Sequence, residues 1–84
     1  MTSNRQLAAI MFTDIVGYTD MMQTDEQKAL TVIKHYNATL EKWVTQHGGR
    51  VANYYGDGSL CIFNSATAAV QCSVDIQREL RQEP

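Results

Sequence analysis

The chain has 84 residues, 44 % of them apolar and 19 % charged, and a formal net charge of −2. That length allows one small domain, burying about 60–65 % of the surface its unfolded chain exposes, and the composition is globular. A slightly acidic chain without a Lys/Arg cluster excludes a nucleic-acid or anionic-membrane partner recognised by charge. No apolar run approaches the roughly 20 residues of a membrane span, and the N-terminus has no signal-peptide pattern. Cys61 and Cys72 lack metal-ligand spacing and read as small buried residues of a reducing, cytoplasmic setting.

In chain order, Met1 to Gln6 is polar and expected to fray. Leu7 to Phe12 is an almost unbroken apolar run, which predicts a strand in a sheet covered on both faces. Thr13 and Asp14 close it, and Gly17 follows, where backbone can approach a ligand. A carboxylate there can hold a metal ion or serve a phosphate site, or it can simply end the strand. Thr19 to Gln23 reads as a helical turn, and Thr24-Asp25-Glu26-Gln27 has the form of a capping box with Thr24 as the cap. Ala29, Leu30, Ile33, Tyr36, Leu40, Trp43 and Val44 then share one stripe of a helix running from about Asp25 to His47, which Gly48-Gly49 stops.

Arg50 to Tyr55 predicts a second strand, Gly56-Asp57-Gly58 a hairpin, and Ser59 to Phe63 a third strand. A last helix, capped by Asn64 or Ser65, carries the stripe Ala66, Ala69, Val70, Ser73, Ile76 and Leu80. The fold class is α+β: strand, helix, strand, strand, helix, a ferredoxin-like βαββα portion without its final strand. In that topology the third strand fills the gap between the first two and runs antiparallel to the first. Asp14 and Asp57 therefore meet at one sheet edge. Two carboxylates beside a glycine turn suit Mg²⁺ or Mn²⁺, and the amides from about Val16 to Thr19 suit phosphate oxygens. Two unrelated turn aspartates would look the same in sequence.

The run FTDIVGYT at Phe12 to Thr19 resembles the first metal motif of the class III nucleotidyl cyclases, the adenylyl and guanylyl cyclase catalytic domain. HGGRV at His47 to Val51, GDG at Gly56 to Gly58, and AAVQCSVDIQ at Ala68 to Gln77 are similar to later parts of the same family, in order. The resemblance covers essentially the whole chain, and so implies that residues 1–84 are the N-terminal part of such a domain. It implies that Asp14, Asp57 and the Ile15 carbonyl hold two divalent cations, Mg²⁺ or Mn²⁺. By the same resemblance, Val16, Gly17, Tyr18 and Thr19 hold the triphosphate of ATP or GTP. The implied reaction is in-line attack of the ribose 3′-hydroxyl on the α-phosphorus, forming the 3′,5′-cyclic nucleotide and releasing pyrophosphate.

Two departures qualify the resemblance. The family's adenylyl cyclases carry a lysine, and its guanylyl cyclases a glutamate, where this chain has Asn53. Asn53 can read either purine base, mark a cyclase-like module that binds nucleotide or a partner without chemistry, or be a solvent-facing strand asparagine. The chain also ends at Pro84, before the family's second base-reading residue and its transition-state asparagine and arginine. The isolated chain is therefore expected to be inactive. An open first-strand edge is expected to drive a homodimer or other self-association.

Overall fold

A computed structural model describes residues 8–82. Met1–Gln6, Leu7 and the C-terminal Pro84, which enter the expectations above, lie outside the described residues. The elements are β1 (Ala9–Asp14), α1 (Tyr18–Thr24), α2 (Glu26–Gln46), β2 (Arg50–Tyr55), β3 (Gly58–Phe63) and α3 (Ala66–Gln82). The sheet order is β1-β3-β2, and β3 is antiparallel to both neighbours. This is the expected α+β, ferredoxin-like arrangement, with the stretch between β1 and β2 split into a short helix and a long one.

Local chemistry explains most of the boundaries. The cap of α2 is Asp25 rather than Thr24: the Asp25 carboxylate accepts from the Lys28 amide at 3.1 Å. The Thr24 hydroxyl instead donates back to the Asp20 carbonyl at 2.9 Å, closing α1. An aspartate one residue closer to the helix wins because it is both a better cap and a negative charge at the helix start. At the other end, the Gly49 amide reaches the Val44 carbonyl at 2.8 Å and the Gly48 amide reaches the Thr45 carbonyl at 3.0 Å. That pair of bonds is a Schellman stop. Ser65 caps α3, accepting from the Ala68 amide at 3.1 Å.

Both long helices lie on one face of the sheet, and the core forms between them and β3. Tyr36, Leu40 and Val44 of α2 meet Cys61 and Phe63 of β3 and Cys72 and Ile76 of α3. Both cysteines are free and fully buried, as the sequence suggested. The buried face of α3 is rotated from the expected stripe: Cys72 lies inside, whereas Val70 is 61 % exposed. Leu30, likewise placed on the α2 stripe, is exposed, and Thr39 is buried in its stead.

The expectation of a sheet covered on both faces is not met. Along β1, Ala9, Met11 and Thr13 face the helices, while Ile10 and Phe12 are 58 % and 74 % exposed. No described residue covers that second face. An unbroken apolar run does not distinguish a doubly buried strand from one whose outer face is left bare. Among the described residues no helix is long and apolar enough to cross a membrane.

Candidate functional site

The β1–β3 register sets Asp14 opposite Gly58, directly after Asp57. One further bond locks the edge: the Ile15 amide donates to the Asp57 carbonyl at 2.8 Å. Gly58 is required by this closeness, because a Cβ there would fall 2.3 Å from the Thr13 carbonyl oxygen. The two aspartates, 43 positions apart in sequence by their numbers, thus reach one end of the sheet, as the topology predicted.

Beyond Asp14 the chain turns at Gly17, which has a φ of 78° and precedes α1. Only glycine adopts that left-handed conformation without strain, and open space surrounds the position. The turn exposes donors. Among the described residues, the amides of Val16 and Gly17 donate no backbone hydrogen bond, the turn through them closes back onto the Ile15 carbonyl, and α1 has no side-chain cap. Both aspartates and the whole segment from Ile15 to Asp20 line one open cavity of about 360 Å³. Asp14 is exposed, Asp57 half-buried, and neither carboxylate has a hydrogen-bond or ion-pair partner among the described residues.

Asp20 was not anticipated. It lines the same cavity from the first turn of α1, yet the described residues contain no group of three or more His, Cys, Asp or Glu side chains able to hold a metal.

Asn53 lies outside this cavity, on the bare face of the sheet. A β-bulge at Ala52 puts it there: Val51 pairs with Cys61, but Asn53 pairs with Leu60. Without the extra residue, Asn53 would share the helix-covered face with Val51. Instead Phe12, Leu60 and Asn53 form one cross-strand row, and Asp14, Gly58 and Tyr55 form the next. Asn53 is thus about 7 Å along the strands and about 10 Å across them from Asp14. Nothing in the stretch Arg50 to Tyr55 marks the bulge in sequence.

The two tyrosines beside Asn53 part company. Tyr54 turns to the helices and donates its hydroxyl to Glu41; partial burial, then that carboxylate, push its pKa up. Tyr55 stays on the bare face, 51 % exposed. His47 is half-buried and sits 2.7 Å from Asp75 on α3. His35 is exposed.

A three-stranded antiparallel sheet with both long helices on one face, and with two carboxylates and a glycine turn at one edge, defines the class. The family model described as "Adenylate and Guanylate cyclase catalytic domain" matches residues 2–83, and the chain belongs to that family. A curated relative, "Putative adenylate cyclase 3" of Rhizobium meliloti (strain 1021), is 40 % identical over 77 residues. That match takes in 90 % of this chain and 13 % of the relative. Among solved structures, the guanylyl cyclase Cya2 superposes with a TM-score of 0.79 at 26 % identity, over 89 % of this chain and 42 % of that one. A bacterial light-regulated adenylyl cyclase shares the fold, with a TM-score of 0.84 at 24 % identity over 89 % of this chain and 23 % of that one. The chain therefore spans well under half the length of these relatives.

Proposed function

We propose that this chain is part of a nucleotidyl cyclase that converts ATP or GTP to the 3′,5′-cyclic nucleotide and pyrophosphate, with the cavity at the β1–β3 edge as its metal and triphosphate site. The observation that carries the reading is the convergence, on one open cavity, of two carboxylates without protein partners among the described residues and the glycine turn that opens α1.

Two Mg²⁺ or Mn²⁺ ions fit this donor set and would be held by Asp14, Asp57 and the Ile15 carbonyl. Bound there, they supply the positive charge that makes the ribose 3′-hydroxyl more acidic and offsets the charge on the departing pyrophosphate. The chain's own residues do the positioning. The amides of Val16, Gly17, Tyr18 and Thr19 donate to phosphate oxygens, setting the α-phosphorus for in-line attack. Asn53, brought to the open face by the bulge, meets a purine edge with one donor and one acceptor group.

The bare face and the free edge of β1 are where a second copy docks. Ile10, Phe12 and Val16 are exposed there, and among the described residues β1 pairs on one side alone. The chain's partial coverage of its relatives supports reading residues 1–84 as the N-terminal part of a larger catalytic unit, inactive by itself.

The test is turnover of the full-length protein with ATP or GTP and Mn²⁺, against Asp57→Ala. The expected result is cyclic nucleotide from the wild type and a fall of about a hundredfold or more in the variant. Failure to cyclise either nucleotide, or a variant as active as wild type, contradicts the reading. Nucleotide binding without turnover in the full-length protein would support instead a module that does no chemistry.

A further inference from the structure

Directly beneath the two aspartates, on the helix-covered face of the sheet, lies a chain of hydroxyl groups. Thr13 and Ser59 are opposite partners in the β1–β3 register, one step before Asp14 and one step after Gly58. Their oxygens are 2.5 Å apart. Tyr36, reaching in from α2, places its hydroxyl on the Thr13 oxygen. Ser59 continues the chain to the Cys61 sulfur at 3.6 Å. Tyr36 is 7 % exposed, Ser59 1 % and Cys61 0 %. One ordering satisfies every member: Tyr36 donates to Thr13, Thr13 to Ser59, and Ser59 to the sulfur. No buried side-chain N or O atom among the described residues is left without a partner.

The geometry points to Thr13, Ser59 and Tyr36 as positioning residues that fix the register at which Asp14 and Asp57 meet. This rests on the metal reading above and adds what holds that site together.

The bare-face rows of this ladder, Ile10 opposite Ile62 and Phe12 opposite Leu60, are apolar on apolar. A slip of two residues would keep one apolar pair on that face, Phe12 opposite Ile62 or Ile10 opposite Leu60. Such a slip keeps every side chain on its own face but carries Asp14 about 7 Å along the strand, away from Asp57. The hydroxyl chain does not tolerate it. Thr13 meets Ser59 under Tyr36 in one register, and in any other these buried oxygens lose partners. Because Tyr36 belongs to α2, the same contact ties the metal edge to the long helix.

The test combines hydrogen–deuterium exchange with Mn²⁺ affinity read by electron paramagnetic resonance, both on the intact protein. The variants are Thr13→Val, which keeps the shape and removes the hydroxyl, Tyr36→Phe, and Thr13→Ser, which restores the hydroxyl. Thr13→Val and Tyr36→Phe are expected to speed exchange in the peptide spanning residues 13–17, which contains the Ile15 amide bonded to Asp57, and to weaken Mn²⁺ binding about tenfold. Thr13→Ser should behave as wild type, and exchange around Cys61 in the central strand should rise several-fold less than at residues 13–17. Unchanged exchange at residues 13–17 in both hydroxyl-deleting variants overturns the positioning role. So does a uniform rise across the whole chain, which would mark a merely structural effect. If Asp57→Ala keeps wild-type Mn²⁺ affinity, the metal reading fails separately, and the exchange pattern alone decides the role of the hydroxyls.

Discussion

The two faces of this sheet are built from the same three strands and serve opposite ends. On one face Met11, Thr13, Val51, Ser59, Cys61 and Phe63 lie under α2 and α3, and this is where the core forms. On the other, Ile10, Phe12, Leu60, Ile62, Asn53 and Tyr55 carry no cover from any described residue, although most are as apolar as the core. Strand alternation assigns each residue to its face, and the bulge at Ala52 makes one deliberate exchange, sending Asn53 outward. Apolar content marks where a surface meets something without saying what. The covered face meets the protein's own helices, and the bare face, bordered by Asp14 and Asp57, is left exposed.

The sharpest way to test this contrast is to truncate one phenylalanine on each face. Phe63→Ala, on the covered face, is expected to cost about 3–5 kcal/mol in a chemical or thermal melt. Phe12→Ala, on the bare face, should change the melt by less than about 0.5 kcal/mol while weakening self-association in sedimentation. Equal stability losses would break the distinction. Next in size is Gly58→Ala, which forces a methyl against the Thr13 carbonyl at the seam of the two faces. A loss of about 1–3 kcal/mol is expected, with reduced turnover in the full-length protein.

Tyr36→Phe removes a single hydroxyl from the covered face and should cost about 1 kcal/mol in the same melt. The smallest effect concerns pH. Burial first, then Cys61 and Asp75, push the Cys72 thiol up to about 11 from 9.0. The group stays neutral in the folded protein, so its contribution is fully present below pH 9 and is lost as pH rises toward about 11. Stability should decline over that window, and Cys72 should resist alkylation at pH 8 until the protein unfolds.

Much of this was legible in the sequence because it is local or follows from topology. The glycines at 17, 48 and 58, the capping side chains and the alternating strands set the element order, and that order alone brought Asp14 and Asp57 together. What stayed hidden depends on contacts between distant segments. The bulge at Ala52 has no local signature, because it shows only as a shift of register against β3. The rotated face of α3 follows from where that helix rests on the sheet, and Val70 and Cys72 were equally suitable on paper. The hydroxyl chain joins residues 13, 36 and 59 through tertiary packing, and each of them alone reads as an ordinary strand or helix residue.

Paramagnetic Mn²⁺ can test whether the edge between the two faces holds a divalent cation. Added below stoichiometry to the isotope-labelled protein, Mn²⁺ should first bleach the amide signals of Asp14 to Thr19 and of Asp57 and Gly58. Those around Asp75 and Glu79, the carboxylates of α3 that already pair with His47 and Lys42, should persist. Bleaching centred on those α3 carboxylates, or none at the β1–β3 edge, would contradict the account.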